Sequence, residues 1–202
     1  AEIIDDLIVN KTNPTLAIYA RRGEIIIRIT AKAVDATAAT VMLDEGEAAL
    51  RERLEKYIYG VDDESLASYL GKELLEQHKT ISFAESCTGG LASSLVTDIA
   101  GSSEYLIGSI VTYTNEAKHN LLKVNEATLS AYGAVSEETA LEMAQGVRKL
   151  FGSDYGVGIT GNAGPGGSEG KPVGLVYIAI ATPDEVYCKE FNFTSTRIEN
   201  KL

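Results

Sequence analysis

The chain has 202 residues, 45% of them hydrophobic and 23% charged, a soluble globular composition with length enough for one large domain or a medium one with a small companion. Its 29 acidic residues against 18 basic ones leave a net charge of −11, which argues against an unspecific grip on a nucleic-acid backbone. The apolar runs are too short to span a bilayer, and Glu2, Asp5 and Asp6 stand where a signal peptide needs a basic start, so a cytoplasmic protein is expected.

In chain order, residues 16–19 and 24–30 are predicted as short strands around a turn at Arg22-Gly23. In the second, Ile25, Ile27 and Ile29 repeat with a period of two. A helix over 34–57 follows, with Gly46 as a weak point costing about 1 kcal/mol against alanine. This β-β-α unit is too small to be stable with much margin. After a linker at 60–64, helices and strands alternate. Helices are predicted at 65–77, 90–98 and 116–122, and strands at 80–83 and 108–113. Ser136 is a good N-cap for a helix to Phe151 that carries Ala140, Met143, Ala144, Val147, Leu150 and Phe151 on one face. Strands at 155–160, 175–181 and 186–193 complete the chain. The expected fold class is α/β, a mixed sheet with helices on both faces, preceded by the small β-β-α unit; the expected domains are 1–60 and 61–202.

In such sheets ligands sit beyond the carboxyl ends of strands. Three polar loops fall there, at 85–90, 114–118 and 160–170. The first puts Ser86, Cys87 and Thr88 before Gly89-Gly90 and a helix start, whose free N–H groups can hold an anion or an oxyanion. Ser86 is a candidate nucleophile and Cys87 its rival; a Ser/Thr cap followed by packing glycines accounts for the same residues. A serine needs a base, and neither His78 nor His119 lies in a loop that strand-end geometry brings to Ser86. Lys118 does, and a partly desolvated lysine can act as a general base. Its loop also carries Tyr113, Thr114, Asn115 and Glu116, which equally suit a capped, solvated helix start. The third loop is rich in glycine, which lets backbone approach a ligand, but it matches neither a P-loop nor a dinucleotide fingerprint. Cys87 and Cys188 suit a reduced compartment. With the two histidines they give no zinc-like spacing, so no metal or other cofactor is expected.

Five runs carry a resemblance. They are 84–90 (Ala-Glu-Ser-Cys-Thr-Gly-Gly), 98–103 (Asp-Ile-Ala-Gly-Ser-Ser), 113–118 (Tyr-Thr-Asn-Glu-Ala-Lys), 133–136 (Gly-Ala-Val-Ser) and 158–165 (Gly-Ile-Thr-Gly-Asn-Ala-Gly-Pro). In this order they resemble the C-terminal domain of the competence-damage-inducible CinA family, which includes nicotinamide mononucleotide deamidases. Residues 12–60 resemble that family's small KH-like middle domain. The resemblance implies hydrolysis of the carboxamide of nicotinamide mononucleotide to nicotinate mononucleotide and ammonia, in pyridine nucleotide recycling. It places the family's catalytic groups on Ser86, Lys118, Tyr113 and Thr160, and its substrate-binding groups on Cys87, Thr88, Gly89, Asn115, Gly161 and Arg197. Arg197 stands in Ser-Thr-Arg where the family has a Gly-Asp-Arg-like run, and Asn162 stands where a bulky apolar residue is more usual. A helix N-terminus and Arg197 are expected to hold the substrate phosphate, and loop N–H groups with Thr160 the oxyanion.

Full-length relatives also carry a molybdopterin-binding-like domain associated with ADP-ribose pyrophosphatase activity. That domain is not in this sequence, and the family continues past Leu202 into a final helix. An alternative reading is therefore a catalytically weak nucleotide-binding or scaffold fragment. Nucleic-acid binding by the KH-like unit is disfavoured, because residues 12–60 lack a Gly-x-x-Gly loop and Arg21-Arg22 is a small basic cluster. The expected partners are a small-molecule nucleotide and a second copy of the chain in a homo-oligomer, a dimer, with no membrane.

Overall fold

The computed structural model describes residues 2–9, 12–21, 23–167 and 169–202; Arg22 of the expected turn lies outside them. The chain divides into two compact units, 1–64 and 65–202.

In the first unit a short helix α1 (Asp5–Val9), not foreseen, precedes an antiparallel hairpin of β1 (Thr15–Arg21) and β2 (Glu24–Thr30). The pairs Leu16–Ile29, Ile18–Ile27 and Ala20–Ile25 share one face, as strand alternation requires, and Ile4, Leu7, Leu16 and Leu50 form the small core beneath. On the other face the Arg28 guanidinium stacks 4.9 Å from the Tyr19 ring centre. Helix α2 (Ala36–Leu54) starts at the cap Asp35, which accepts from Ala38 N at 2.8 Å, and its expected last turn tightens to a 3-10 turn at Glu55–Tyr57. Gly46, predicted as a weak point, has a packing reason. A Cβ there would stand 3.0 Å from Ile29 Cγ2, so glycine lets α2 lie close on β2.

The second unit is a five-stranded mixed sheet in the order β4-β3-β5-β6-β7. β3 (Ile81–Glu85) runs parallel to both β4 (Leu106–Val111) and β5 (Tyr155–Gly161). β6 (Leu175–Ala181) and β7 (Val186–Asn192) follow antiparallel. α3 (Leu66–Glu76) and α4 (Leu91–Thr97) cover one face, through Leu74 and Val96 on Ile81, Phe83, Val157 and Ile159. α5 (Asn115–Leu122), α6 (Glu126–Tyr132) and α7 (Glu137–Phe151) cover the other, through Leu122, Met143 and Val147 on Ala84. α7 rests directly on β5. A Cβ at Gly158 would lie 2.4 Å from Ala140 O, so only glycine permits that approach. Ser136 caps α7, accepting from Thr139 N at 3.2 Å.

α6 was not foreseen, and the reason is physical. Its cap Asn125 makes no side-chain cap bond. The carboxylate of Glu142, on α7, accepts from Asn125 N (2.6 Å), Asn125 Nδ2 (3.0 Å) and Thr128 Oγ1 (2.6 Å) instead. The signal that starts this helix is tertiary.

Candidate active site

Strand alternation sorts the residues at the end of β3. Ile81, Phe83 and Glu85 face α3 and α4, while Ala84 faces α7. Ser86 continues the ladder one step past the strand, its N–H donating to Ile159 O at 2.9 Å, and so turns toward α5.

Glu85 is fully buried. Its carboxylate accepts from Gly90 N (2.9 Å), Ala92 N (3.1 Å), Ser93 N (2.9 Å) and Ser93 Oγ (2.8 Å). Burial pushes its pKa up, but the nearby Thr88 hydroxyl and the Ser93 and Ala92 donors outweigh that and hold the carboxyl below the ordinary value. The start of α4, reached through Gly90 at φ +99°, is therefore occupied by a carboxylate of the chain itself. This corrects the expectation that these amides hold a substrate phosphate: the anion site exists, and Glu85 fills it.

Ser86 is 7% exposed. Lys118 reaches it from the first turn of α5, which Thr114 caps by accepting from Ala117 N at 3.1 Å. The Lys118 side chain is 1% exposed. Its Nζ stands 3.1 Å from Ser86 Oγ and donates to Thr112 O at 2.9 Å. Burial lowers its pKa, partly offset by Cys87 and Glu169 nearby. In the neutral amine one proton stays on Thr112 O, and the lone pair can turn to the Ser86 hydroxyl. That is the geometry of a nucleophile with its base. Cys87 has no such arrangement. Its thiol is buried in the apolar cluster with Phe83, Val96 and Ile159, and burial pushes its pKa up to about 11.

The other expected residues divide. Tyr113, 61% exposed, stands just past Thr112, and its hydroxyl accepts from Arg197 Nη2 at 2.9 Å; Arg197 Nη1 also donates to Gly164 O. The structure thus joins Tyr113, Arg197 and the glycine-rich loop. Asn115 opens α5 and is exposed. Gly89, at φ +66°, is exposed on the turn after Ser86, and Thr88 is half-buried, its hydroxyl without a hydrogen-bond partner among the described residues. Thr160 departs from the expectation. It ends the predicted strand 155–160 inside β5, is 1% exposed, and spends its hydroxyl proton on Ala134 O at 2.6 Å, so that proton is not offered to an oxyanion. Gly161 ends β5 for a packing reason: a Cβ would meet Val176 Cγ2 at 2.7 Å. Asn162 is buried and shapes the loop, accepting from Gly164 N at 3.2 Å and donating to Lys171 O at 3.3 Å. A recess of about 650 Å³ beside Tyr132, Glu137 and Glu169 includes neither Ser86 nor Lys118, so the chemistry rather than the volume marks the site.

Three neighbours were missed. Glu85 was legible in principle, since alternation sends it opposite to Ser86. Asn200 had no local signal. It is buried, its Oδ1 accepts from Ser195 N (3.0 Å), and its Nδ2 donates to Ser195 O (3.0 Å) and Ala163 O (3.1 Å). It folds residues 195–202 into a hook fastened to the glycine-rich loop. Lys201 rides on that hook, with its Nζ 3.7 Å from where a Gly89 Cβ would be.

The fold and this arrangement define an α/β domain with a buried serine–lysine pair beyond the carboxyl ends of parallel strands. The chain belongs to the CinA family: residues 63–202 match the model of the CinA C-terminal domain, and residues 1–60 that of the damage-inducible protein CinA KH domain. It is 48% identical over 98% of its length to a CinA-like protein of Prochlorococcus marinus (strain MIT 9215) and, over the same share, to a putative competence-damage inducible protein of Clostridium acetobutylicum. It spans about half the length of these curated relatives, 48% in each case. Among solved structures, the competence/damage inducible protein CihA from Agrobacterium tumefaciens aligns with a TM-score of 0.66 at 41% identity, covering 71% of this chain and 89% of that one. A competence-damaged protein (CinA) superfamily protein from Escherichia coli aligns with a TM-score of 0.67 at 32% identity, covering 72% and 88%. Among the described residues no helix is long and apolar enough to cross a membrane.

Proposed function

We propose that this chain hydrolyses the carboxamide of nicotinamide mononucleotide, releasing ammonia and nicotinate mononucleotide. The observation that carries the reading is the buried contact of 3.1 Å between Lys118 Nζ and Ser86 Oγ, beside a lysine whose pKa burial has lowered. Ser86 Oγ attacks the amide carbon as neutral Lys118 takes its proton. The tetrahedral oxyanion falls to loop N–H groups other than those Glu85 already holds. As the C–N bond breaks, Lys118 returns the proton and ammonia leaves, with the acyl group on Ser86. Water then attacks that ester, Lys118 again taking a proton, and the acid is released with Ser86 regenerated. Ser86 is the nucleophile of the first half-reaction and water that of the second, and Lys118 takes and returns the proton in both.

An ammonia-release assay with nicotinamide mononucleotide tests the reading. Turnover that disappears in Ser86→Ala supports it. Thermal stabilisation by the mononucleotide with no ammonia from the native chain overturns it in favour of a binding protein.

A further inference from the structure

We propose that Lys201, together with Arg197, forms the subsite for the phosphate monoester of the substrate, against Gly89 on the turn after Ser86. The inference rests on the amidase reading, and it names a residue which that reading does not supply. Three observations converge. First, the Gly90, Ala92 and Ser93 N–H groups at the start of α4 are taken by the Glu85 carboxylate, so those three are not offered to another anion. Second, Lys201 Nζ reaches the same turn from outside, 3.7 Å from the vacant Cβ position of Gly89. A side chain at Gly89 would fill the space between the turn and the ammonium, and the positive φ of +66° already favours glycine there. Third, the hook that carries Lys201 is held firmly. Asn200, its neighbour, is 5% exposed and ties Ser195 to Ala163 O.

The charges complete the argument. In a chain of net charge −11, neither Lys201 nor Arg197 is paired with a carboxylate among the described residues. The acid between them, Glu199, turns its carboxylate to Thr196 N (3.2 Å), Thr196 Oγ1 (2.8 Å) and the Ser195 hydroxyl. Arg197 is held by its donations to Gly164 O and to the hydroxyl of Tyr113, the residue just past Thr112. Two cations on one hook, neither paired with a carboxylate among the described residues, suit a dianion. A phosphate monoester carries that charge, and it can take a point contact from lysine and a directed one from arginine.

The test compares nicotinamide mononucleotide with nicotinamide riboside, which lacks the phosphate. In Lys201→Met the ratio of kcat/KM for the two substrates is expected to fall by roughly tenfold to a hundredfold, the scale of one hydrogen bond to a charged group, chiefly through KM. Lys201→Arg should restore most of it. A Lys201→Met chain that loses equally on both substrates, or on neither, overturns the subsite. If the native chain releases no ammonia at all, the amidase reading fails and the subsite is judged by inorganic phosphate alone. Phosphate should then raise the melting temperature of the native chain more than that of Lys201→Met, and equal shifts overturn the proposal.

Discussion

At the scale of single residues, the site turns on which proton Lys118 holds. A lysine with a lowered pKa is neutral over a wider range than a solvated one, and only the neutral amine can accept from Ser86. Activity should therefore rise with pH through the folded-state pKa of Lys118, which lies below 10.5. A pH profile of kcat/KM should show that rising limb, and Lys118→Met should lack it; a flat profile in the native chain would remove the base from the mechanism. Ser86→Ala should abolish nearly all turnover with the melting temperature kept, whereas Cys87→Ala, which touches core rather than base, should keep most of its turnover at some loss of stability. Equal losses in the two variants would reopen the choice between them. The two residues could be told apart only in part from sequence. Loop position and residue type pointed to both, and the deciding fact is that Ser86 turns to Lys118 while Cys87 sinks into the apolar cluster. Thr160 misled for a related reason: its strand was legible from the apolar run, but the partner of its hydroxyl, Ala134 O, lies 26 residues away in the chain.

At the scale of elements, the short helix α4 depends on a carboxylate outside itself. Glu85 has a folded pKa below its unfolded value of 4.5. Its contribution to stability is thus fully present above pH 4.5 and is lost as pH falls through the lower folded value. Glu85→Gln sets an amide NH₂ against backbone donors, and at neutral pH it should cost at least about 2 kcal/mol, as loss of a helix cap together with an unsatisfied buried group does. Urea unfolding at several pH values checks this. The gap between the native chain and the variant should narrow well below pH 4.5, and a gap independent of pH would mean that Glu85 acts by shape alone. The strands of the sheet were legible because apolar runs and alternation are local properties, and Leu175–Ala181 fell where its pattern put it. α6 and the hook were not, because Glu142 and Asn200 act across 14 to 37 residues of chain. The hook should matter to binding more than to chemistry. Asn200→Ala is expected to raise KM with a smaller change in kcat, and an unchanged KM would show that Arg197 and Lys201 hold their places without it.

At the scale of the whole molecule, the two units have separate cores, one around Leu16 and Leu50 and the other around Phe83, Ile159 and Met143. The piece 62–202 keeps the Ser65 cap of α3 and every residue of the candidate site, and it should unfold cooperatively without residues 1–61. A molten product would mean that the small unit completes the larger core. Among the described residues the small unit buries Ile4, Leu7, Leu16 and Leu50 in its apolar cluster, and alone it should be marginal. The central claim, that a lysine activates a serine in this chain, is tested most directly by steady-state kinetics of Lys118→Met on nicotinamide mononucleotide beside a direct measurement of binding. A general base acts in the transition state, so kcat should fall by at least about 10²-fold while the dissociation constant changes far less. A Lys118→Met chain with normal kcat and weakened binding would contradict the account and make Lys118 a binding residue.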